Sequence, residues 1–260
     1  MLVTVSPAKK LDWTDPGIAE VTEPRFLEDA AYLAGVAAEL SVAELRKLMA
    51  ISEPLAKLNR ERFQSYRAET PEDARPAVRA FAGDTYQGLE AKTLDEDAQY
   101  WARGHLRILS GLYGLLRPYD LIQPYRLEMG SRLQTAKGKN LYEYWGSRIA
   151  EALNADAEEA GAACLVNCAS IEYFSAVDTE ALAVPVVTPV FLEEKNGTAQ
   201  VVSFHAKRAR GAMARFVMER RIDRAEGIAE FDTGGYRFQP DDSTPDRPVF
   251  LRSAAAAAAA

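Results

Sequence analysis

The spacing of apolar residues along the chain predicts a short strand followed by a series of helices. Leu2–Val5 is an apolar run rich in β-branched residues and is ended by Ser6-Pro7, as is typical of a strand. Apolar residues then recur with a helical period from residue 24 to residue 40. Ser41 and Glu44 have the spacing of a capping box, which predicts that a second helix begins there. Similar signals predict further helices over residues 52–66, 70–81, 95–106 and 141–153.

The second half of the chain mixes strands with one long helix. Strands are predicted at 164–168, 184–192 and 200–205, with Asn196-Gly197 as a hairpin turn, and closing edge strands at 236–238 and 249–251. Residues 206–221 predict a helix with an arginine-rich outer face. Because helices and strands do not alternate regularly, we predict one α+β domain over residues 1–252, with a helix-rich first half and a central mixed sheet. Residues 253–260 are a low-complexity tail, native or added in cloning, outside that domain.

The charge of the chain is unevenly distributed. A net charge of −7 argues against a generally basic nucleic-acid binder. However, residues 103–148 and residues 201–224 each carry +5, so the remainder carries −17. Segregation of this size predicts one positive face on an acidic protein, which suits a polyanionic partner or an anionic small substrate.

The sequence predicts a cytoplasmic protein without a membrane segment. No apolar run approaches the roughly 20 residues that a membrane span needs, and the N-terminus lacks the pattern of a signal peptide. Cys164 and Cys168 lie in one extended apolar run, where they are too far apart for a disulfide. Because no further Cys and only two His are present, we expect buried reduced thiols, no metal site and no cofactor.

Residues 109–130 combine turn residues and ionisable groups in an otherwise apolar segment. Gly111 and Gly114 lie three apart, and two proline-containing pairs interrupt any long helix. The order Gly–apolar–x–Gly is typical of a helix-hairpin-helix motif, in which backbone N–H groups bind a DNA phosphate without reading bases. We therefore predict a first helix over residues 99–108, a hairpin over residues 111–114 and a second helix beginning near Leu115. The same segment is also compatible with part of an enzyme-like pocket.

Polar and ionisable side chains also follow three predicted strands. Lys9 and Lys10 follow the first strand, Asn167 and Ser170 follow the strand at 164–168, and His205 begins a run that includes Lys207, Arg208 and Arg210. A site assembled from several strand ends has this appearance. The run after His205 opens a helix, so its backbone N–H groups add to a positive field that attracts anions. Standard catalytic signatures such as GxSxG, a Walker loop, GxGxxG and HExxH are absent from the sequence.

Six segments together resemble the YaaA family of bacterial peroxide-stress-resistance proteins. They are SPAKKLDW from residue 6, GDTYQGL from 83, LSGLYGLLRPYDLIQPYRLEMG from 109, LYEYWG from 141, PVFLEEKNG from 189 and FHAKRARG from 204. The resemblance covers residues 1–252. It implies a cytoplasmic protein that limits hydrogen peroxide damage and is associated with lower intracellular iron. It also implies a single domain of unusual α+β fold that binds DNA through a helix-hairpin-helix and a basic cleft.

Carried onto this chain, the resemblance places the DNA-binding hairpin at Gly111, Leu112, Tyr113 and Gly114. The cleft candidates are Lys9, Lys10, Arg117, Arg126, Lys207, Arg208 and Arg210. The chain departs from the family pattern in two places, since SPAKKLD replaces SPAKTLD and NCAS replaces NLAS. Cys168 therefore has no sensing role in this interpretation, because a sensing thiol needs exposure and a lowered pKa.

Three functions compete at this point. The first is a peroxide-stress protein that binds DNA phosphates without sequence preference. The second is an enzyme that acts on an anionic small molecule, with Lys9, Arg126, Glu128 and Lys207 converging in one pocket. The third, an iron-binding protein, lacks a dense cluster of His, Asp and Glu ligands. We favour DNA binding, and the sequence leaves open whether a reaction is catalysed and what the oligomeric state is.

Overall fold

A five-stranded mixed sheet forms the centre of the molecule. The computed structural model describes residues 1–14 and 20–258, so residues 259–260 of the predicted tail lie outside the described part. The strands of this sheet lie in the order β4-β3-β1-β6-β7. They are β1 (Leu2–Val5), β3 (Leu106–Ser110), β4 (Gly114–Leu116), β6 (Leu165–Cys168) and β7 (Val186–Val187). All are parallel to β1 except β4, which pairs antiparallel with β3.

Two smaller sheets complete the β structure. β2 (Arg75–Pro76) pairs with β5 (Leu121–Ile122). The second larger sheet has the order β10-β11-β8-β9, from β8 (Val190–Lys195), β9 (Thr198–Gln200), β10 (Tyr236–Phe238) and β11 (Val249–Arg252). The predicted turn at Asn196-Gly197 is confirmed, since both residues have positive φ and join β8 to β9. β10 is an edge strand as predicted, but β11 lies inside its sheet.

Helices fill the long connection between β1 and β3 and cover the sheets. They are α1 (Leu27–Ala38), α2 (Val42–Met49), α3 (Glu53–Gln64), α4 (Ala77–Ala80), α5 (Asp84–Leu89), α6 (Glu96–His105), α7 (Leu141–Trp145), α8 (Arg148–Glu159), α9 (Ile171–Phe174), α10 (Ser203–Arg220) and α11 (Ala254–Ala258). The capping box that begins α2 is confirmed, because Glu44 N–H donates to Ser41 Oγ and Ser41 N–H donates to the Glu44 carboxylate. The α+β class is confirmed.

Several predicted elements have different limits in the structure. The helix predicted over residues 141–153 is two helices, because Gly146 has φ of 50° and ends α7. The strand predicted over residues 184–192 is divided into β7 and β8. The strand predicted over residues 200–205 is wrong beyond Gln200, since α10 begins at Ser203 and Ala206 N–H donates to the Val202 carbonyl. Residues 70–81 form only the short α4 with β2 before it.

The helix-hairpin-helix predicted around Gly111 is wrong in this structure. The first helix, α6, ends at His105, and residues 106–110 and 114–116 are paired strands. All five residues of β3 are buried, which is typical of an interior strand of a parallel sheet covered on both faces. The pairing of β3 with β1 decides its conformation, and no local sequence signal indicates that pairing. Gly111-Leu112-Tyr113 is consequently the turn of a β-hairpin.

Two glycines allow α5 and α10 to pack in direct backbone contact. A methyl group added at Gly211 would lie 1.7 Å from the Thr85 carbonyl oxygen, and one added at Gly88 would lie 2.0 Å from the Arg208 carbonyl oxygen. This contact holds α10 against the helices that follow β1. It therefore positions the basic first turns of α10 relative to the loop after β1.

Candidate functional site

The carboxyl ends of β1 and β6 are tied together by two serines. The strands are adjacent and parallel, with Val5 opposite Cys168. Ser170 N–H donates to Ser6 Oγ at 2.8 Å, and the two hydroxyl oxygens lie 3.3 Å apart. Ser170 Oγ also caps α9. Because neighbouring parallel strands end at one edge, the loops after β1 and β6 form one side of a shared cleft.

A charged cluster lies at the same edge. Lys9 Nζ is 2.8 Å from Glu128 Oε2, and Arg126 Nη2 is 3.0 Å from Glu128 Oε1. Glu128 and Arg126 are mostly buried, whereas 60% of the Lys9 side chain is exposed. One carboxylate is shared by two cations, so the cluster has an excess positive charge. The loop that carries Glu128 is joined to α9, since Gly130 N–H donates to Glu172 Oε1 at 3.0 Å.

Buried phenols form the floor of this cleft. Tyr86 OH donates to the Ser6 carbonyl at 3.2 Å, and the Tyr125 hydroxyl is 2.7 Å from Ser110 Oγ. Burial raises the pKa of Tyr86, Tyr125 and Tyr173, so these phenols stay protonated and remain hydrogen-bond donors. The free volume between Lys9, Tyr125, Glu128 and Tyr173 is only about 10 Å³. In this conformation the space is too small for a ligand larger than water.

α10 contributes a further cation at the end of β6. Arg210 is half-buried and interacts electrostatically with Cys168, and burial lowers its guanidinium pKa. Lys207, one turn earlier on the same face of α10, and Arg208 are exposed. Among residues 1–14 and 20–258, no carboxylate is paired with Arg210, Lys207, Arg208 or Lys10. Arg208 lies on the other side of α10, in a groove with Gln87, Glu90 and Tyr236. We name the set Lys9, Lys10, Arg126, Lys207 and Arg210 the carboxyl-edge face.

The structure brings only some of the predicted site residues together. Lys9, Arg126 and Glu128 converge as predicted, whereas no recorded hydrogen bond or ion pair joins Lys207 to them in the described part of the chain. The four hairpin residues are buried: Trp145 Nε1 donates to the Gly111 carbonyl, and Gln123 N–H donates to the Tyr113 hydroxyl. In this conformation they present no surface to a phosphate, which corrects their assignment as DNA contacts.

Arg117 also lies away from the cleft. Because β4 runs antiparallel to β3, its end reaches the opposite edge of the sheet, near the start of β3. There Arg117 Nε donates to Asp120 Oδ1 at 3.1 Å. The assignment of Arg117 to the basic cleft is therefore corrected. Sequence analysis missed Ser6 and Tyr86 as site components. Serine and tyrosine are common residues, and only hydrogen bonds to residues distant in sequence identify these two.

Two helices joined by a short turn, as in a helix-hairpin-helix, occur elsewhere in the chain, at α2 and α3. α2 and α3 are connected by Ala50-Ile51-Ser52, with Ala50 in the left-handed conformation. Lys47 on α2 and Arg132 line one groove of about 490 Å³, and both are exposed. That groove includes Gly130, which is bonded to Glu172, so it adjoins the cleft. Lys47 and Arg132 therefore add two exposed cations beside the cleft, in a groove that Glu44 also lines.

The cysteines are free and buried. Burial raises the pKa of the Cys168 thiol to about 12 and also raises that of Cys164. Since the thiolate is the form that reacts with peroxide, neither thiol is suited to sensing it. Within the described residues, no three His, Cys, Asp or Glu side chains are grouped to hold a metal ion. No helix of that part of the chain is both long and apolar enough to cross a bilayer.

These features define an α+β protein with a cationic cleft where two parallel strands end. A family profile described as "Peroxide stress protein YaaA" matches residues 1–242. The chain therefore belongs to the YaaA family of peroxide stress proteins, which confirms the resemblance seen in the sequence.

Close relatives are found in several bacteria. A UPF0246 protein of Dinoroseobacter shibae is 60% identical over 254 residues, which is 97% of this chain and 95% of the relative. A UPF0246 protein of Jannaschia sp. (strain CCS1) is 59% identical over 260 residues, the full length of both chains. One from Ruegeria pomeroyi is 56% identical over 254 residues, or 97% of this chain and 98% of the relative. Membership of this family supports a role in peroxide stress.

Proposed function

We propose that the protein acts in the cytoplasm to limit peroxide damage, and lowers available iron, by binding the phosphate backbone of DNA without sequence preference. The observation that carries the proposal is the absence of a carboxylate partner, within the described residues, for three cations of the carboxyl-edge face: Lys10, Lys207 and Arg210. A cation that is not neutralised in a protein of net charge −7 is available to an external anion. DNA phosphates are the anions that clusters of Lys and Arg bind with little discrimination.

The polar groups around Arg210 fit this use. Arg210 is a half-buried guanidinium beside the end of β6, and the Ser6 and Ser170 hydroxyls lie at the same edge. Arg, Lys and Ser side chains supply most phosphate contacts in protein–DNA complexes. Lys47 and Arg132 add two exposed cations beside the cleft. Such a surface contacts the phosphate backbone of a duplex and makes no base-specific contacts.

Removal of two exposed cations tests the proposal. In Lys10→Gln/Lys207→Gln we expect the affinity for a duplex to fall on the order of tenfold at low salt, because two phosphate contacts are lost. The matched control is Arg220→Gln/Arg237→Gln, which removes the same charge from exposed residues, one at the far end of α10 and one on β10. Fluorescence anisotropy with labelled DNA measures both. Equal loss in the two variants would contradict a local phosphate site.

A second candidate function is an enzyme for an anionic small molecule. The convergence of Lys9, Arg126 and Glu128 favours it, because a carboxylate held between two cations is more than phosphate binding requires. An anionic substrate can replace Glu128 as the partner of Lys9, and Glu128 then becomes available to accept a proton.

Glu128→Gln separates the two functions. If a reaction at this cluster provides protection, a bacterium lacking its own copy should remain sensitive to hydrogen peroxide with Glu128→Gln, while the variant binds DNA like the wild type. Glu180→Gln, an exposed carboxylate elsewhere, is the control. Full protection by Glu128→Gln would reject the enzyme candidate.

A further inference from the structure

A second cationic site lies at the opposite edge of the main sheet. A cavity of about 500 Å³ opens near the start of β3 and is lined by four arginines, Arg25, Arg103, Arg107 and Arg117, with His105 and Tyr119. His105 Nδ1 is 2.9 Å from the Met1 carbonyl, which places the cavity at the amino ends of β1 and β3. Its volume is within the range of small-molecule sites.

The four guanidinium groups are fixed by main-chain carbonyls. Arg25 donates to Ala152, Arg103 to Glu20, Arg107 to Arg103 and Leu106, and Arg117 to Glu23, at 2.8 to 3.1 Å. These acceptors come from three separate parts of the chain. Because the carbonyls already hold the side chains in place, a ligand would not have to order them on binding.

Four carboxylates balance the four arginines, but two of them, Glu20 and Glu159, are exposed, so water screens their charge. Asp156 is shared, with one oxygen 2.5 Å from Arg25 and the other 2.5 Å from Arg107. Asp120, which is buried, pairs with Arg117. Glu20, which pairs with Arg103, is 79% exposed, so that ion pair contributes little and is readily replaced. Glu159 also lines the cavity and is exposed.

The most informative group is the Arg107 guanidinium. Only 3% of its side chain is exposed, yet among the described residues its Nη2 has no recorded acceptor, while Nε and Nη1 do. Nη2 is not one of the buried atoms without a partner, so it faces the open space of the cavity. Arg107 lines the cavity, so an acceptor bound there would complete its hydrogen bonds.

We propose that this cavity binds a small molecule through a diphosphate group. Planar guanidinium groups bind phosphate oxygens in pairs, and several arginines around one cavity suit more than one phosphate charge. Arg107 is too deeply buried for the backbone of a DNA duplex to reach it. The site is therefore separate from the carboxyl-edge face and does not depend on the proposed DNA binding.

Titration calorimetry with inorganic pyrophosphate tests this assignment. We expect the wild type and Arg237→Gln to bind it, and Arg25→Gln and Arg103→Gln to bind at least about tenfold more weakly, since each loses a charge-assisted contact. Thermal unfolding confirms that these variants are folded. ADP in a second arm distinguishes an organic diphosphate from free pyrophosphate, and arginine-dependent binding of either supports the site.

The outcomes separate this proposal from DNA binding. Lys10→Gln/Lys207→Gln should retain pyrophosphate binding, and Arg103→Gln should retain DNA affinity. Absence of binding by both pyrophosphate and ADP, or binding that neither arginine substitution weakens, would overturn the proposal.

Discussion

Gly211→Ala is expected to lower the free energy of unfolding by about 3 kcal/mol or more, near the upper end of the usual cost of overpacking. The added methyl would lie 1.7 Å from the Thr85 carbonyl oxygen and 2.9 Å from the Leu89 nitrogen. Both atoms belong to the main chain of α5, so no side-chain rotation relieves the clash. The two helices would have to separate, which would open the core between them.

A matched glycine provides the control for this prediction. Gly35 lies inside α1, and a methyl group added there meets no atom within 4 Å. Gly35→Ala should raise the free energy of unfolding by about 0.5–1 kcal/mol, because alanine is the better helix former. Urea unfolding followed by circular dichroism compares the variants. A Gly211→Ala variant as stable as the wild type would show that α5 and α10 do not pack in direct contact.

The free energy of unfolding should fall steeply as the pH rises above about 10. Burial raises the pKa of Tyr86, Tyr113 and Tyr125 above the ordinary value of 10.0. Below that value both folded and unfolded chains keep these protons, so stability is unaffected. Above it the unfolded chain releases them and the folded chain does not, so the free energy of unfolding falls as pH rises.

The size of this effect makes it easy to detect. Each phenol that stays protonated only in the folded chain lowers the free energy of unfolding by about 1.4 kcal/mol per pH unit. Three buried phenols therefore lower it by about 4 kcal/mol per pH unit, against a typical stability of 5–15 kcal/mol. Six further tyrosines also have a raised pKa and steepen the loss: Tyr66, Tyr119, Tyr142, Tyr144, Tyr173 and Tyr236. Tyrosinate absorbance and far-ultraviolet circular dichroism should change together. Complete ionisation of the tyrosines with helical signal intact would contradict burial of these phenols.

Local signals predicted part of the fold well. The capping box at Ser41 and Glu44 and the turn at Asn196-Gly197 depend on a few neighbouring residues, and both are present. β3 is different, because its strand conformation depends on pairing with β1, about a hundred residues earlier. Its leucines and isoleucine suit a helix or a buried strand equally, so periodicity alone predicted a helix.

The same limit applies to the site. The sequence predicts Lys9, Arg126 and Glu128 as site residues because each is a chemically capable residue at an element end, and the structure brings them together. Arg117 is predicted for the same reason but lies at the other edge, because β4 reverses direction. The arginine-lined cavity has no signal in the sequence, since its members are spread from residue 22 to residue 160.

The central claim is that unneutralised cations at the carboxyl edge of the sheet bind DNA phosphates. The measurement that tests it most directly is the affinity of the wild-type protein for two unrelated duplexes across a series of salt concentrations. We predict equal affinity for both duplexes and a slope of log affinity against log salt on the order of −3, as about three phosphate contacts require. Binding that is absent, or that does not change with salt, would contradict the claim.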